Sequence, residues 1–210
     1  LIISVIFIVV RLFTKDYQGD YILILIQALT GILGMLAPGF ISRKFELEIP
    51  SVMYFFFIIF LFCSIVLGEF RDFYYFVPFW DKLLHVTSGA MLGALGFSLV
   101  NLLNQKNSLI NLSPIFVAFF SFCFAVTLGV FWEFFEFTFD GLLGLNMQKF
   151  RTYDGEILVG REALMDTMRD LQVDAIGAFV MSLIGYISLK YDKYWLNKIL
   201  IKRKKKAKND

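Results

Sequence analysis

Apolar residues in this chain come in long runs rather than in alternation. The runs cover about 1–13, 21–41, 51–68, 82–103, 114–139 and 168–190. A helix needs roughly 20 apolar residues to cross a hydrocarbon core about 30 Å thick, and most of these runs meet that length. The pattern predicts an all-α fold, a polytopic transmembrane helical bundle of about six spans. Residues 1–197 are expected to form a single transmembrane domain and residues 198–210 a basic tail. Pro38, Pro50, Pro78 and Pro114 fall at or near the ends of runs, where helix punctuation belongs. The first run is short and begins at Leu1 without an initiator Met, so further N-terminal sequence is expected. The competing reading is a cleaved signal peptide, disfavoured because Arg11 follows directly and no small-residue cleavage site is visible.

Composition removes the alternative of a soluble domain. Of the 210 residues 58% are hydrophobic, with 26 phenylalanines, against roughly 45–50% apolar residues in ordinary soluble chains. The net charge of +2 is carried largely by Lys198, Lys202, Arg203, Lys204, Lys205, Lys206 and Lys208. The positive-inside rule places that cluster in the cytoplasm, and six spans bring the N-terminus to the same side of the plasma membrane. A solvated, frayed end that touches anionic lipid is the favoured reading of this tail, over nucleic-acid binding. The loops 14–20, 69–81 and 140–167 are then expected outside.

Against this apolar background, three stretches carry ionisable side chains within predicted spans: Asp81, Lys82 and His85; Glu133 and Glu136; and Asp166, Asp170 and Asp174. Charge in a span is expensive and marks function by default. All three stretches fall at the outer ends of their spans. Helical spacing puts Asp81, His85, Gly89, Gly93 and Gly96 on one stripe; Gly129, Glu133, Glu136 and Asp140 on a second; and Asp166, Asp170, Asp174, Gly177 and Gly185 on a third. Each acidic stripe continues inward as glycine, which lets membrane helices approach closely. The expected picture is three tightly packed helices below a polar cup. The connection 140–167 is long enough to fold over that cup as a lid, with Gln148, Arg151 and Arg161 as contacts for an anionic group.

Seven carboxylates at one depth cannot all stay ionised without cations or protons. One imidazole among carboxylate oxygens, with no thiolates, suits zinc, manganese or magnesium. The expected metal ligands are His85, Glu133 and Asp170. Glu136, Asp166 and Asp174 are the candidate catalytic groups, and Asp81, Lys82, Arg151, Arg161 and Arg169 the candidate substrate contacts. For Asp81, Asp140 and Asp166, which lie nearer the interface, helix capping is an equal reading. Cys63 and Cys123 fall mid-span, where cysteine acts as a small hydrophobe. Glycine-rich nucleotide loops, serine nucleophile motifs, HExxH and CxxC are absent from the sequence.

The motifs DKLLHVTSGAMLG, WExxE and DTxxDxxxDxxGA resemble those of the YjdF-like family of bacterial inner-membrane proteins and, more distantly, the VanZ-like family. VanZ-like proteins carry E-x-x-Q and D-x-x-x-N-x-x-G elements; here Glu136 stands at the Gln position and Asp174 at the Asn position. The resemblance covers about residues 69–187 and implies a compact helical membrane domain linked to envelope or lipid-linked chemistry. Three functions follow as expectations. The first is a metal-assisted hydrolase or transferase acting on a lipid-linked or anionic amphiphile. The others are a proton- or cation-coupled transporter and a non-catalytic membrane partner with a structural polar network.

Overall fold

The structure, a computed structural model, describes residues 21–69, 71, 73–106, 112–152, 154–191 and 198–204, with backbone only for 21–28 and 104–106. The chain divides into two compact units, residues 1–78 with 203–210 and residues 79–202.

In the first unit, α1 spans Tyr21–Lys44 and α2 spans Ser51–Leu61, continuing as a π-helix over Phe62–Glu69; α3 is the short Phe73–Phe76. Pro50 precedes α2, where a missing N–H costs nothing. Ser42 Oγ closes the end of α1 by donating to Leu47 O at 2.7 Å. Phe55, Phe56, Ile59 and Phe62 are exposed, as lipid-facing side chains should be.

The second unit is built on three long helices, α4 (Trp80–Lys106), α5 (Pro114–Leu143) and α6 (Met165–Lys190). The ends of α5 follow from local chemistry. Ser113 caps it by accepting from Phe116 N at 3.4 Å, and Pro114 occupies the first turn. Gly144 stops it in the left-handed conformation at φ +68°, with its N–H on Asp140 O.

Among the described residues, four helices are long and apolar enough to cross a bilayer: Ser51–Glu69, Trp80–Leu103, Pro114–Leu143 and Met165–Lys190. The hydropathy pattern predicted six. Of the other two, 1–13 lies outside the described residues, and 21–41 is helical as α1, whose side chains are described only from Leu29 onward.

The packing of α4, α5 and α6 inverts the pattern of a soluble core. Phe116, Phe119, Phe131, Phe134 and Phe137 of α5 point outward, while Ser121, Ala125, Gly129, Glu133, Glu136 and Asp140 are buried on one face. On α6 the buried face is Asp170, Asp174, Gly177, Ala178, Ser182, Gly185 and Ser188. Lipid is as apolar as leucine, so nothing drives leucine inward; close contact of small residues holds the helices together instead. Gly89 lies against the backbone carbonyl of Asp174, and Gly177 against the carbonyl of Val86 and the amide of Ala90. Two buried hydroxyls are satisfied on their own helices, Ser98 on Ala94 O and Ser121 on Val117 O, while Ser182 Oγ is buried without a partner.

At the far end of the unit, Phe97, Val100, Val117, Ala118 and Leu200 form an apolar cluster. Ile201 N donates to Ser98 Oγ and Asn101 Nδ2 to Ile201 O, both at 3.2 Å. The predicted frayed tail is therefore packed at its start, because Ile199, Leu200 and Ile201 give it an apolar face before the run of lysines.

The glycine contacts can be tested directly. A Cβ at Gly177 would overlap the Val86 carbonyl, whereas one at Gly141 meets nothing within 4 Å. Gly177→Ala is expected to destabilise the protein by at least about 1–3 kcal/mol through overpacking. Gly141→Ala should be neutral or stabilising by up to about 1 kcal/mol. Thermal unfolding in detergent separates the two.

Candidate functional site

The polar ends of α4, α5 and α6 meet at one end of the second unit. α4 brings Asp81 and Lys82 from its first turn and His85 from its second, and α6 brings Asp166, Asp170 and Asp174 from its own first turns. The two helices are antiparallel to α5, whose last turns carry Glu133, Glu136 and Asp140. The convergence expected from helical spacing is present.

Lys82 is the hub. Its Nζ lies 2.5 Å from Asp166 Oδ1, 2.7 Å from Asp170 Oδ2 and 3.2 Å from Asp81 Oδ2. Three carboxylates thus use the three N–H donors of one ammonium. A second ammonium arrives from the loop, where Lys149 Nζ bonds Asp81 Oδ2 and lies 3.4 Å from Asp166 Oδ1.

His85 occupies the centre. Its Nδ1 is 3.2 Å from Asp174 Oδ2, and Ser88 Oγ lies 3.1 Å from Asp174 Oδ1. With Nδ1–H donated to Asp174, a neutral imidazole would keep its lone pair on Nε2. That Nε2 faces Asp81 Oδ1 and Asp170 Oδ1, each at 3.8 Å, too far for a hydrogen bond. Each of these two aspartates therefore turns one oxygen to a lysine and the other toward the imidazole. Asp170 Oδ1 has no hydrogen-bond donor although the residue is 1% exposed.

Asp81, His85 and Asp170 can offer one ligand atom each, all within 4.8 Å of one another. With Nε2 at 3.8 Å from each oxygen and the oxygens within 4.8 Å of each other, a point equidistant from the three lies about 2.5 Å or less from each, close to the ~2.0–2.6 Å range of zinc, magnesium and calcium ligation. Of the expected ligands, His85 and Asp170 belong to this trio and Glu133 does not; Asp81, expected as a substrate contact, takes its place. Glu133 is 3% exposed and lies beside the side chains of Gln148 and Thr167. Glu136 accepts from Trp132 Nε1 at 2.9 Å, one turn away on the same helix.

The loop after α5 is built by the side chain that ends it. Asp140 accepts from Met147 N at 2.8 Å and Gln148 N at 3.0 Å, so it organises the loop rather than capping a helix. Asn146 and Arg151 exchange backbone-to-side-chain bonds, and Gln148 Nε2 donates to Thr167 Oγ1 at 2.8 Å. The loop therefore touches the cup through Gln148 and Lys149, and its basic contact differs from those expected. Arg151 spends its guanidinium on Gly144 O and Leu145 O. Arg161 and Arg169 are exposed, and Arg169 sits about 100° around α6 from Asp170, a direct consequence of helical spacing. Asp166 does not cap α6: Leu164 is the N-cap, and Asp166 lies in the first turn, held by the two lysines.

Lys149 is the residue that helical-stripe reasoning missed. Its signal was present, since it is the only lysine between the two acidic stripes at 140 and 166, but loops carry no periodicity to say which way a side chain turns. Burial works against its charge, and the carboxylates of Asp81 and Asp166 outweigh burial, raising the ammonium above the ordinary 10.5.

The fold and this cluster define a helical integral membrane protein with a polar site at one end of three packed helices. The chain belongs to the DUF2238 family of predicted membrane proteins, whose model matches residues 1–191. It is also 30% identical over 155 residues to an uncharacterized protein of Thermotoga maritima, covering 73% of this chain and 72% of that one. No solved structure matches the chain.

The Lys149 contact predicts a pH dependence. A lysine whose folded pKa is raised stabilises the fold fully below its unfolded value, and the effect is lost as pH rises through the folded value. The Tm difference between the parent and Lys149→Gln is expected to be constant below pH 10.5 and to shrink above it, as read by thermal unfolding across that range.

Proposed function

We propose that the cup holds a divalent cation on Asp81, His85 and Asp170 and that the protein is a metal-assisted hydrolase or transferase. Its substrate would be a lipid-linked or otherwise amphiphilic molecule of the cell envelope. The observation that carries this reading is the orientation of His85. Asp174 fixes Nδ1, and Nε2 points at two carboxylate oxygens that no donor serves well. A carboxylate behind a ligating imidazole is the usual support of a protein metal site. Asp174 and Ser88 are then positioning residues. Lys82 holds the other oxygens of Asp81 and Asp170, so both ligands are fixed before any cation arrives.

A divalent cation in this position would polarise a phosphoryl or carbonyl oxygen or lower the pKa of a bound water. Glu133, buried beside Gln148 and Thr167, supplies a carboxylate that would accept a proton. Manganese, zinc and magnesium all tolerate this mixed oxygen and nitrogen set. The likeness of the three motifs to the YjdF-like and VanZ-like families supports an envelope substrate. Leu200 and Ile201 pack at the end of α4 remote from the cup and lead directly into Lys202, and the positive-inside rule then orients the cup outward from the plasma membrane with the basic tail inside. Packing favours this one-ended site over a transport path, because beyond Asp174 the helices close on glycines in contact with backbone, on alanine and on Ser98 and Ser121, which bond their own helices.

Elemental analysis of the purified protein tests the reading. One divalent cation per chain is expected in the parent. Asp170→Asn should remove it while the fold is retained, and Asp174→Asn should weaken binding by about 10–100-fold. A cation-free parent after supplementation with manganese, zinc and magnesium in turn would overturn it.

A further inference from the structure

We infer that Lys149 is a displaceable counter-ion of this site: when a divalent cation binds Asp81, His85 and Asp170, the Lys149 ammonium leaves Asp81 and Asp166 and swings out to solvent. The inference rests on the cation site proposed above and assigns the residue that sets its affinity and reports its filling.

Asp81 links the two events. Its Oδ2 bonds Lys149, while its Oδ1 faces His85 Nε2 and belongs to the proposed ligand set. A cation on that set stands one carboxylate's breadth from the ammonium, in surroundings that screen charge poorly. Both positive groups compete for the same aspartate, so each must weaken the other's hold, and by the same factor.

Lys82 also touches Asp81, but the two lysines are held differently. Lys82 sits on a helix, has three carboxylate partners and has an 18% exposed side chain. Lys149 sits on the loop, has two partners, one of them at 3.4 Å, and has a 30% exposed side chain. Its backbone lies at φ +48°, a conformation disfavoured for a residue with a side chain. Lys149 is therefore the ammonium with less to lose. The loop itself stays in place when it leaves, because Asp140 holds the amides of Met147 and Gln148 and Asn146 holds Arg151.

The test uses the full chain in lipid nanodiscs with Mn2+ as the probe. Modification of each lysine by an amine-reactive ester is followed by mass spectrometry with and without Mn2+. Mn2+ affinity is measured by electron paramagnetic resonance for the parent, Lys149→Gln and Lys149→Arg. Mn2+ is expected to raise the modification rate of Lys149 at least about fivefold while Lys82 stays protected. Lys149→Gln should tighten Mn2+ binding by a similar factor, the lower end of ordinary coupling between sites, and Lys149→Arg should stay near the parent. Mn2+ binding that leaves Lys149 reactivity unchanged or reduced overturns the displacement alone, as does weaker binding by Lys149→Gln. Failure of all three proteins to bind Mn2+ overturns the cation site itself, and the displacement with it.

Discussion

One buried ammonium makes the rest of the site tenable. Asp81, Asp166 and Asp170 lie on helices that are long and apolar enough to cross a bilayer, where a charged side chain costs about 2.5–3.5 kcal/mol even on insertion scales. Lys82 meets all three at once. Without it, three like charges would face one another at low dielectric, and helices α4 and α6 would separate at this end. With it, the two helix starts are cross-linked by charge-assisted bonds, the strong kind. His85 can then sit one turn deeper, between carboxylates whose outer oxygens are already occupied.

This ion-pair network needs the glycines beneath it. Lys82 reaches Asp166 and Asp170 only because α4 and α6 approach until Gly89 touches the Asp174 backbone and Gly177 touches that of Val86. Gly129 brings α5 equally close, against the Asp174 carboxylate. The small residues and the charged residues are parts of one device: the first set the helix separation, and the second require it. Large apolar side chains are left on the outside, where the solvent is lipid. The bundle thus gains close packing and a polar interior together, and that interior holds His85 against Asp174.

The loop after α5 adds a second layer. Asp140 ends the buried stripe of its helix and at the same time gathers the amides of Met147 and Gln148, so the helix that supplies Glu133 and Glu136 also shapes the loop that touches the cup. Lys149, held in a left-handed backbone conformation, completes the charge balance of Asp81 and Asp166. Two carboxylate oxygens of the cup, Asp166 Oδ2 and Asp170 Oδ1, are buried without donors. Unpaired buried acceptors are where a ligand has something to gain.

The sequence by itself determined the class of fold and the members of the cup. Runs of about 20 apolar residues have one stable form in lipid, because a helix satisfies its own backbone. Helical periodicity then put Asp81, His85 and Gly89, or Asp170, Asp174 and Gly177, on single faces with no knowledge of what they met. Only the tertiary structure decided how those faces divide their labour. It placed Asp81 beside His85 Nε2 and Glu133 beside Gln148 and Thr167. It turned Arg169 to the surface and brought Lys149 in from a loop. It also packed Leu200 and Ile201 against α4 and α5. The physical reason is that periodicity fixes a side chain's direction within its own helix, whereas pairing depends on rotation, depth and loop path. Those are set by the close contacts of glycine with backbone, which no single helix contains.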